Sequence, residues 1–139
     1  MLKITVPIVP KAQARDRIGV VNGRAMSYKS KDQKSAEQTL STFLLRHIPS
    51  RPIDGPVMIG VRAYLPIPKS MPKYKRAMIS SGDLRPLTKP DLDNLIKQVK
   101  DVMTQMRFWG DDKQVVGYLE GTGKYYSDNP RWEIEIREA

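Results

Sequence analysis

One segment of this chain carries an apolar stripe at the spacing of an α-helix. Between positions 91 and 106 the apolar residues recur at intervals of three or four: Leu92, Leu95, Ile96, Val99, Val102, Met103 and Met106. On a helix these side chains form one continuous face, which must be buried against another element. Asp91 or Lys89 stands at the expected N-cap. We expect the stripe to lie in the core or in an interface between subunits.

Strands are predicted on both sides of this helix. Apolar residues alternate with polar ones at the start of the chain, at Leu2, Ile4, Val6 and Ile8. Residues 57–64 are rich in branched and aromatic side chains, which favours a buried strand. Two further strands are predicted over 114–120 and 132–137. The segment between them, 121–130, is polar and turn-rich, so we expect a simple connection there.

A second helix and a hairpin are predicted between the first two strands. Residues 30–33 have the form of a capping box, and helical spacing then predicts a helix over 31–47 that ends before Pro49. Asn22-Gly23 is typical of a two-residue hairpin turn. The predicted order, apart from this hairpin, is strand, helix, strand, helix, strand, strand. It indicates one α+β domain over 1–139, with a small mixed sheet and two main helices.

Charge and composition narrow the partners and the chemistry. The formal net charge of +9 favours an anionic partner such as nucleic acid, although a membrane surface or solubility alone would also account for it. No apolar window approaches the length of a transmembrane helix, and the N-terminus lacks a signal sequence, so we expect a cytoplasmic protein without membrane association. Without cysteine, and with His47 as the single histidine, any metal must bind oxygen ligands, as Mg²⁺ and Mn²⁺ do.

The segment from Pro66 to Pro90 is unusually basic and rich in proline. It contains five prolines and one acid, Asp83, and we expect its six basic residues to contact DNA: Lys69, Lys73, Lys75, Arg76, Arg85 and Lys89. A long loop of this kind is usually functional or disordered. The alternative is a solvated linker whose charge only aids solubility.

Four carboxylates form two short clusters that stand out on this basic chain. Asp91 and Asp93 lie where a loop enters the predicted helix, and in extended backbone residues two apart project to the same side. Asp111 and Asp112 follow the turn at Gly110. We expect Asp112 to enter a strand on the same face as three later residues, Gln114, Val116 and Tyr118.

If Asp91, Asp93 and Asp112 converge, a hydrated Mg²⁺ would relieve their mutual repulsion, and such a site can hydrolyse phosphodiesters. The alternatives are structural: Asp91 caps the helix, and the Asp111-Asp112 pair is ordinary turn chemistry. Lys97, four residues after Asp93, is either a surface ion-pair partner of Asp93 or an ammonium directed at the scissile phosphate.

These motifs resemble the signature of RusA-type Holliday junction resolvases. The resemblance rests on Lys89-Pro90-Asp91-Leu92-Asp93-Asn94-Leu95-Ile96-Lys97, then Asp101, then Phe108-Trp109-Gly110-Asp111-Asp112-Lys113-Gln114-Val115-Val116. It implies a magnesium-dependent endodeoxyribonuclease, with Mn²⁺ as a possible substitute and no small-molecule cofactor. The implied substrate is a four-way junction in DNA recombination and repair, cut by paired symmetric nicks. The implied form is an intertwined homodimer encoded in bacteria or their prophages, which suits the near two-fold symmetry of a junction.

The resemblance also assigns roles to individual residues. It implies that Asp91, Asp93 and Asp112 bind the metal and are catalytic, and that Lys97 is a catalytic lysine. It gives Asp111 a supporting position, and we expect the same of Asn94. Two alternatives stay open. One is a broader nuclease acting on flaps or forks, suggested by a basic loop that is longer than in compact members of the family that the chain resembles. The other is a non-catalytic protein that binds branched DNA.

Overall fold

The computed structural model describes the backbone of residues 1–11, 17–21, 24–28 and 31–139, and the side chains of residues 1–11 and 35–139. The described strands are β1 (Leu2–Val6), β2 (Arg17–Val21), β3 (Arg24–Tyr28), β4 (Val57–Pro66), β5 (Val115–Tyr118), β6 (Gly123–Ser127) and β7 (Arg131–Glu138). The α-helices are α1 (Lys31–Leu44), α2 (Lys73–Ser80) and α3 (Leu92–Gln105). Short 3₁₀ helices span Leu45–His47 and Asp112–Gln114. None of these described helices is long and apolar enough to cross a membrane.

The main sheet is mixed and is built around β4. Strand β7 lies between β1 and β4 and is antiparallel to both. On the opposite edge of β4, β5 runs parallel to its first residues and β6 runs parallel to its last ones. The Leu119 N–H donates to the Ile59 carbonyl (2.9 Å) and the Val61 N–H donates to the Thr122 hydroxyl (3.2 Å) between these two pairings. The edge of β4 is therefore hydrogen-bonded along most of its length.

The core lies between one face of this sheet and helices α1 and α3. Alternate residues of β4 are buried on that face, from Val57 to Leu65. The predicted stripe of α3 is buried against them, including Leu95, Val99 and Met103, while Leu40 and Leu44 contribute from α1. Burial of these branched side chains is the main term that stabilises the fold. The α+β class and the core position of the α3 stripe are confirmed.

The N-terminal half largely follows the sequence pattern. Strands β2 and β3 pair antiparallel with Val21 opposite Arg24, as expected for a hairpin closed by two residues. That turn and Ser30, the expected cap of α1, lie outside the described residues. Helix α1 ends at Leu44 and continues as 3₁₀ helix to His47, just ahead of the predicted stop at Pro49.

Three local predictions were wrong. The basic segment from Pro66 to Pro90 contains helix α2, none of whose residues is buried. The segment expected to be a simple connection contains β6, whose residues are mostly half-buried without clear alternation. Asp112 lies in a 3₁₀ turn rather than in a strand, because local hydrogen bonds satisfy the backbone groups at 110–114. The part of the chain that the structure describes therefore has one helix and one strand more than the pattern predicted.

Candidate active site

The first acid cluster lies where the chain enters α3. Asp91 is the N-cap residue, with φ −70° and ψ 141°, yet its side chain makes no capping hydrogen bond. Its carbonyl accepts the first helical bond, from the Leu95 N–H at 3.1 Å. Asp93 follows in the first helical turn, and Asp91, Asp93 and Asn94 are all exposed. Simple capping therefore does not account for the Asp91 carboxylate.

The second acid cluster lies in a tightly bonded turn. The Asp111 Oδ1 accepts from the Lys113 N–H (2.9 Å), while the Gln114 Oε1 accepts from the Gly110 N–H (2.8 Å) and the Asp111 N–H (3.0 Å). The Lys113 N–H, together with a weaker side-chain interaction with Asp112, lowers the pKa of Asp111. The Asp111 carboxylate thus stabilises the turn. This is the structural role that was the alternative for the Asp111-Asp112 pair. Asp112 is exposed beside it.

The turn that carries Asp112 is tied to the segment before β4. The Gln114 Nε2 donates to the carbonyls of Ile53 (2.6 Å) and Gly55 (3.1 Å). Ile53 also pairs with Trp109, and the Ile53 N–H donates to the Phe108 carbonyl (2.9 Å). These bonds join residues far apart in the chain. They fix the second acid cluster relative to the sheet.

One acid from each cluster lines a single open groove. It is lined by Asp93 and Lys97 from α3 and by Asp112 from the 110–114 turn. The groove has a volume of about 320 Å³ and is lined by Asp93, Ile96, Lys97, Lys100, Asp101, Asp112 and Tyr118. The three predicted residues that it brings together are Asp93, Lys97 and Asp112. Asp91, Asp111 and Asn94 are not in its lining.

Three polar groove residues were not among the predicted site residues: Lys100, Asp101 and Tyr118. A signal for two of them was present in the sequence. Lys97, Lys100 and Asp101 follow Asp93 by four, seven and eight positions, which is the spacing of one helix face. Tyr118 comes from β5, and no local pattern connects it to α3. Its ring is half-exposed at the groove.

Lys97 is available in this groove. Both Lys97 and Asp93 are exposed, and no ion pair joins these two described residues. The surface ion pair that was the structural alternative for Lys97 is therefore not formed. The groove also contains the carboxylates of Asp93, Asp101 and Asp112, and the exposed Lys97 ammonium can interact there with a phosphate that enters.

The donor set of the groove fits a hydrated divalent cation. Mg²⁺ takes oxygen ligands and commonly uses one or two carboxylates, with water and substrate phosphates completing its octahedron. Asp93 and Asp112 can supply those two carboxylates. Within the part of the chain that the structure describes, no three acidic or histidine side chains form a closed metal cluster. Such a site would need oxygen atoms from water or a phosphate.

The six basic residues of the segment before α3 fall into two groups. Four of them carry exposed ammonium groups: Lys69, Lys73, Lys75 and Lys89. Two arginines interact with the protein itself. Arg76 donates to the carbonyls of Pro68 and Met71, and Arg85 donates to the Lys124 carbonyl and stacks over the Tyr125 ring. The lysines are therefore the freer candidates for phosphate contact.

Comparison with known proteins supports the assignment that the motifs suggested. The sequence profile described as "Endodeoxyribonuclease RusA" matches residues 7–137. "Uncharacterized protein YqaN" of Bacillus subtilis (strain 168) is 39% identical over 140 residues, which cover 99% of this chain and 96% of that protein. "Crossover junction endodeoxyribonuclease rusA" of Lactococcus phage r1t is 47% identical over 52 residues, 37% of this chain and 38% of the phage protein. The chain therefore belongs to the RusA family of endodeoxyribonucleases, hydrolases that cut DNA.

Proposed function

We propose that this protein is a magnesium-dependent Holliday junction resolvase. The observation that carries the proposal is the groove in which Asp93 and Lys97 meet Asp112 from the second motif. Nucleases of this family are generally dependent on divalent metals, and the oxygen donors favour Mg²⁺, with Mn²⁺ as a substitute. The relative from Lactococcus phage r1t supports a junction as the substrate, since it is named a crossover junction endodeoxyribonuclease.

The groove residues would have different roles in phosphodiester hydrolysis. Asp93 and Asp112 would hold the ion, with Asp91 as a further ligand from the helix N-cap. When bound, the ion supplies an activated water and neutralises charge on the phosphate. The Lys97 ammonium would stabilise the negative charge that develops on the phosphate or on the leaving oxygen. Asp111 would support this arrangement by keeping the 110–114 turn in place, and Asn94 would support the first cluster.

Paired nicks require two active sites, so we propose that the protein acts as a homodimer. A four-way junction has nearly two-fold symmetry, and an isologous dimer presents two identical grooves related by the same kind of axis. In a circular plasmid with an extruded cruciform, two cuts in one binding event would give linear product directly. Independent monomers would first accumulate nicked circles.

The exposed lysines before α3 are proposed to contact the phosphates of the junction arms. Replacing Lys69, Lys73 and Lys75 by alanine is expected to weaken junction binding and to reduce its salt dependence. Each phosphate contact contributes about 0.9 to the slope of log K against log salt, so the slope should fall by about 2 to 3. Binding isotherms at several salt concentrations, without divalent metal, measure this change.

A matched control removes the same charge elsewhere. Lys3, Arg46 and Arg51 are also exposed and lie outside the Pro66–Pro90 segment. Their triple alanine variant is expected to change the slope much less. Equal slopes for both triple variants would show that the basic segment acts only through net charge, as the solubility alternative predicts.

The proposed function is tested by cleavage of a labelled four-way junction beside a linear duplex, a flap and a fork. With Mg²⁺ we expect symmetric nicks confined to the junction, and with a chelator we expect binding without cleavage. Comparable cutting of flaps and forks would instead indicate a broader structure-selective nuclease. Binding without any metal-dependent cleavage would return the aspartates to structural roles in a branched-DNA binding protein.

A further inference from the structure

A lysine on β6 reaches the loop that leads into α3. The Lys124 Nζ donates to the carbonyl oxygens of Thr88 (2.8 Å) and Pro90 (2.9 Å). Pro90 is followed directly by Asp91, the N-cap residue of α3. Charge-assisted hydrogen bonds of this kind are about twice as strong as neutral ones. The Lys124 ammonium thus binds two backbone carbonyl oxygens in the three residues before the first acid cluster.

The same strand holds the other end of this loop. The Arg85 Nε donates to the Lys124 carbonyl (2.7 Å), and the guanidinium carbon lies 4.0 Å from the centroid of the Tyr125 ring. Gly123 leaves room for this arginine, since a Cβ there would collide with the Arg85 Nη2. The Tyr125 ring stacks on Tyr64 of β4, with centroids 5.2 Å apart. The loop over 85–90 is therefore attached at both ends to the edge of the sheet.

The start of α3 depends on this attachment because it lacks a side-chain cap. A capping side chain normally bonds the free N–H groups of the first turn, and Asp91 does not do so. The position of the first turn is then set by the apolar face of α3 and by the loop before it. That first turn carries Asp93, which lines the same groove as Asp112. A shift of the loop would change the distance between the two carboxylates.

We infer that Lys124 is a positioning residue of the active site. Its ammonium holds the loop at Thr88 and Pro90, so that the carboxylates of the first cluster meet the same ion as Asp112. The inference rests on the proposed function, since it concerns the metal site of that nuclease. Lys124 itself acts through the loop carbonyls and is not in the lining of the groove.

A role through charge and a role through positioning predict opposite changes in divalent-cation affinity when Lys124 is replaced. This difference makes the inference testable. Lys124→Met removes a positive charge near a cluster of carboxylates. If Lys124 acted only through its charge, the variant would bind a divalent cation more tightly. If it acts by positioning the loop, the variant binds the cation less tightly. Lys124→Arg keeps the charge and can still donate to carbonyls, so it should retain most of the affinity.

The experiment titrates Mn²⁺ into the full-length protein without DNA and follows free Mn²⁺ by electron paramagnetic resonance. For Lys124→Met we expect the dissociation constant to rise about 10 to 100-fold, the usual cost of removing a partner that orients metal ligands. The Mg²⁺ concentration for half-maximal junction cleavage should rise by a similar factor. The rate at saturating Mg²⁺ should recover most of the wild-type value. Lys3→Met, an exposed lysine on β1, serves as the control.

Each outcome decides the inference. Weaker Mn²⁺ binding by Lys124→Met, with substantial rescue by Lys124→Arg, would support it. Unchanged or tighter Mn²⁺ binding would overturn it, and so would a variant that is only less stable, with the same Mn²⁺ affinity per folded molecule. If the wild-type protein binds Mn²⁺ and cuts junctions, a negative result concerns Lys124 alone. If the wild-type protein does neither, the proposed function fails first.

Discussion

Asp93→Asn is expected to lower the rate of junction cleavage about 10³-fold while the protein stays folded and still binds the junction. The carboxylate lines the same groove as Asp112, and an amide is a much poorer ligand for Mg²⁺. Loss of about 4 kcal/mol of metal-assisted transition-state stabilisation corresponds to this factor. Junction binding should persist or tighten, since the substitution removes a negative charge that faces the phosphates. Single-turnover cleavage and gel-shift binding without Mg²⁺ measure the two quantities.

Asp128→Asn is the matched control for this substitution. Asp128 is exposed in the turn between β6 and β7 and does not line the groove. Its variant should cut and bind like the wild type. The structural alternative assigns Asp93 only a favourable interaction with the α3 dipole, about 0.3–1 kcal/mol of stability. A fully active Asp93→Asn protein with slightly lower stability would favour that alternative and contradict the proposed role.

Elements that contribute a buried face could be predicted from the sequence. The apolar stripe of α3 and the alternation in β1 and β7 each match a face that is buried in the core. Helix α2 could not be found in this way because none of its residues is buried. Strand β6 has no clear alternation, and it forms only because β4, far earlier in the chain, offers a free edge. A periodic apolar pattern in the sequence indicates a buried face, and neither α2 nor β6 has a regular buried face.

The candidate site was predictable where its residues are close in sequence. The spacing of Asp93 and Lys97 already places both on one helix face, and the structure puts both in the groove. The error on Asp112 was avoidable, since Asp111 and Gln114 stand at the first and last positions of a capping box. The contacts of Lys124 with Thr88 and Pro90 span more than thirty residues. No local pattern encodes such contacts, because they depend on how β6 pairs with β4.

Trp109→Ala is expected to cause the largest loss of stability among the changes considered. The Trp109 side chain is fully buried, packs at a tilt against Phe108 and donates its indole N–H to the Thr104 hydroxyl (2.8 Å). Removing a buried tryptophan leaves a cavity and typically costs about 3–5 kcal/mol. In a domain of this size the melting temperature should fall by about 10 °C or more. Thermal and urea unfolding of both proteins measure the change.

Tyr74→Ala is the control that separates burial from ring size. Tyr74 is an aromatic residue of α2 that is 66% exposed, so its removal should change the free energy of unfolding by less than about 0.5 kcal/mol. Trp109→Phe keeps a ring but loses the bond to Thr104, and its cost should fall between the two alanine variants. Similar losses for Trp109→Ala and Tyr74→Ala would contradict the core position of Trp109. Trp109 pairs with Ile53, and the Ile53 carbonyl accepts a hydrogen bond from Gln114 in the 110–114 turn. Such a result would therefore also contradict the view that these contacts hold Asp112 at the groove.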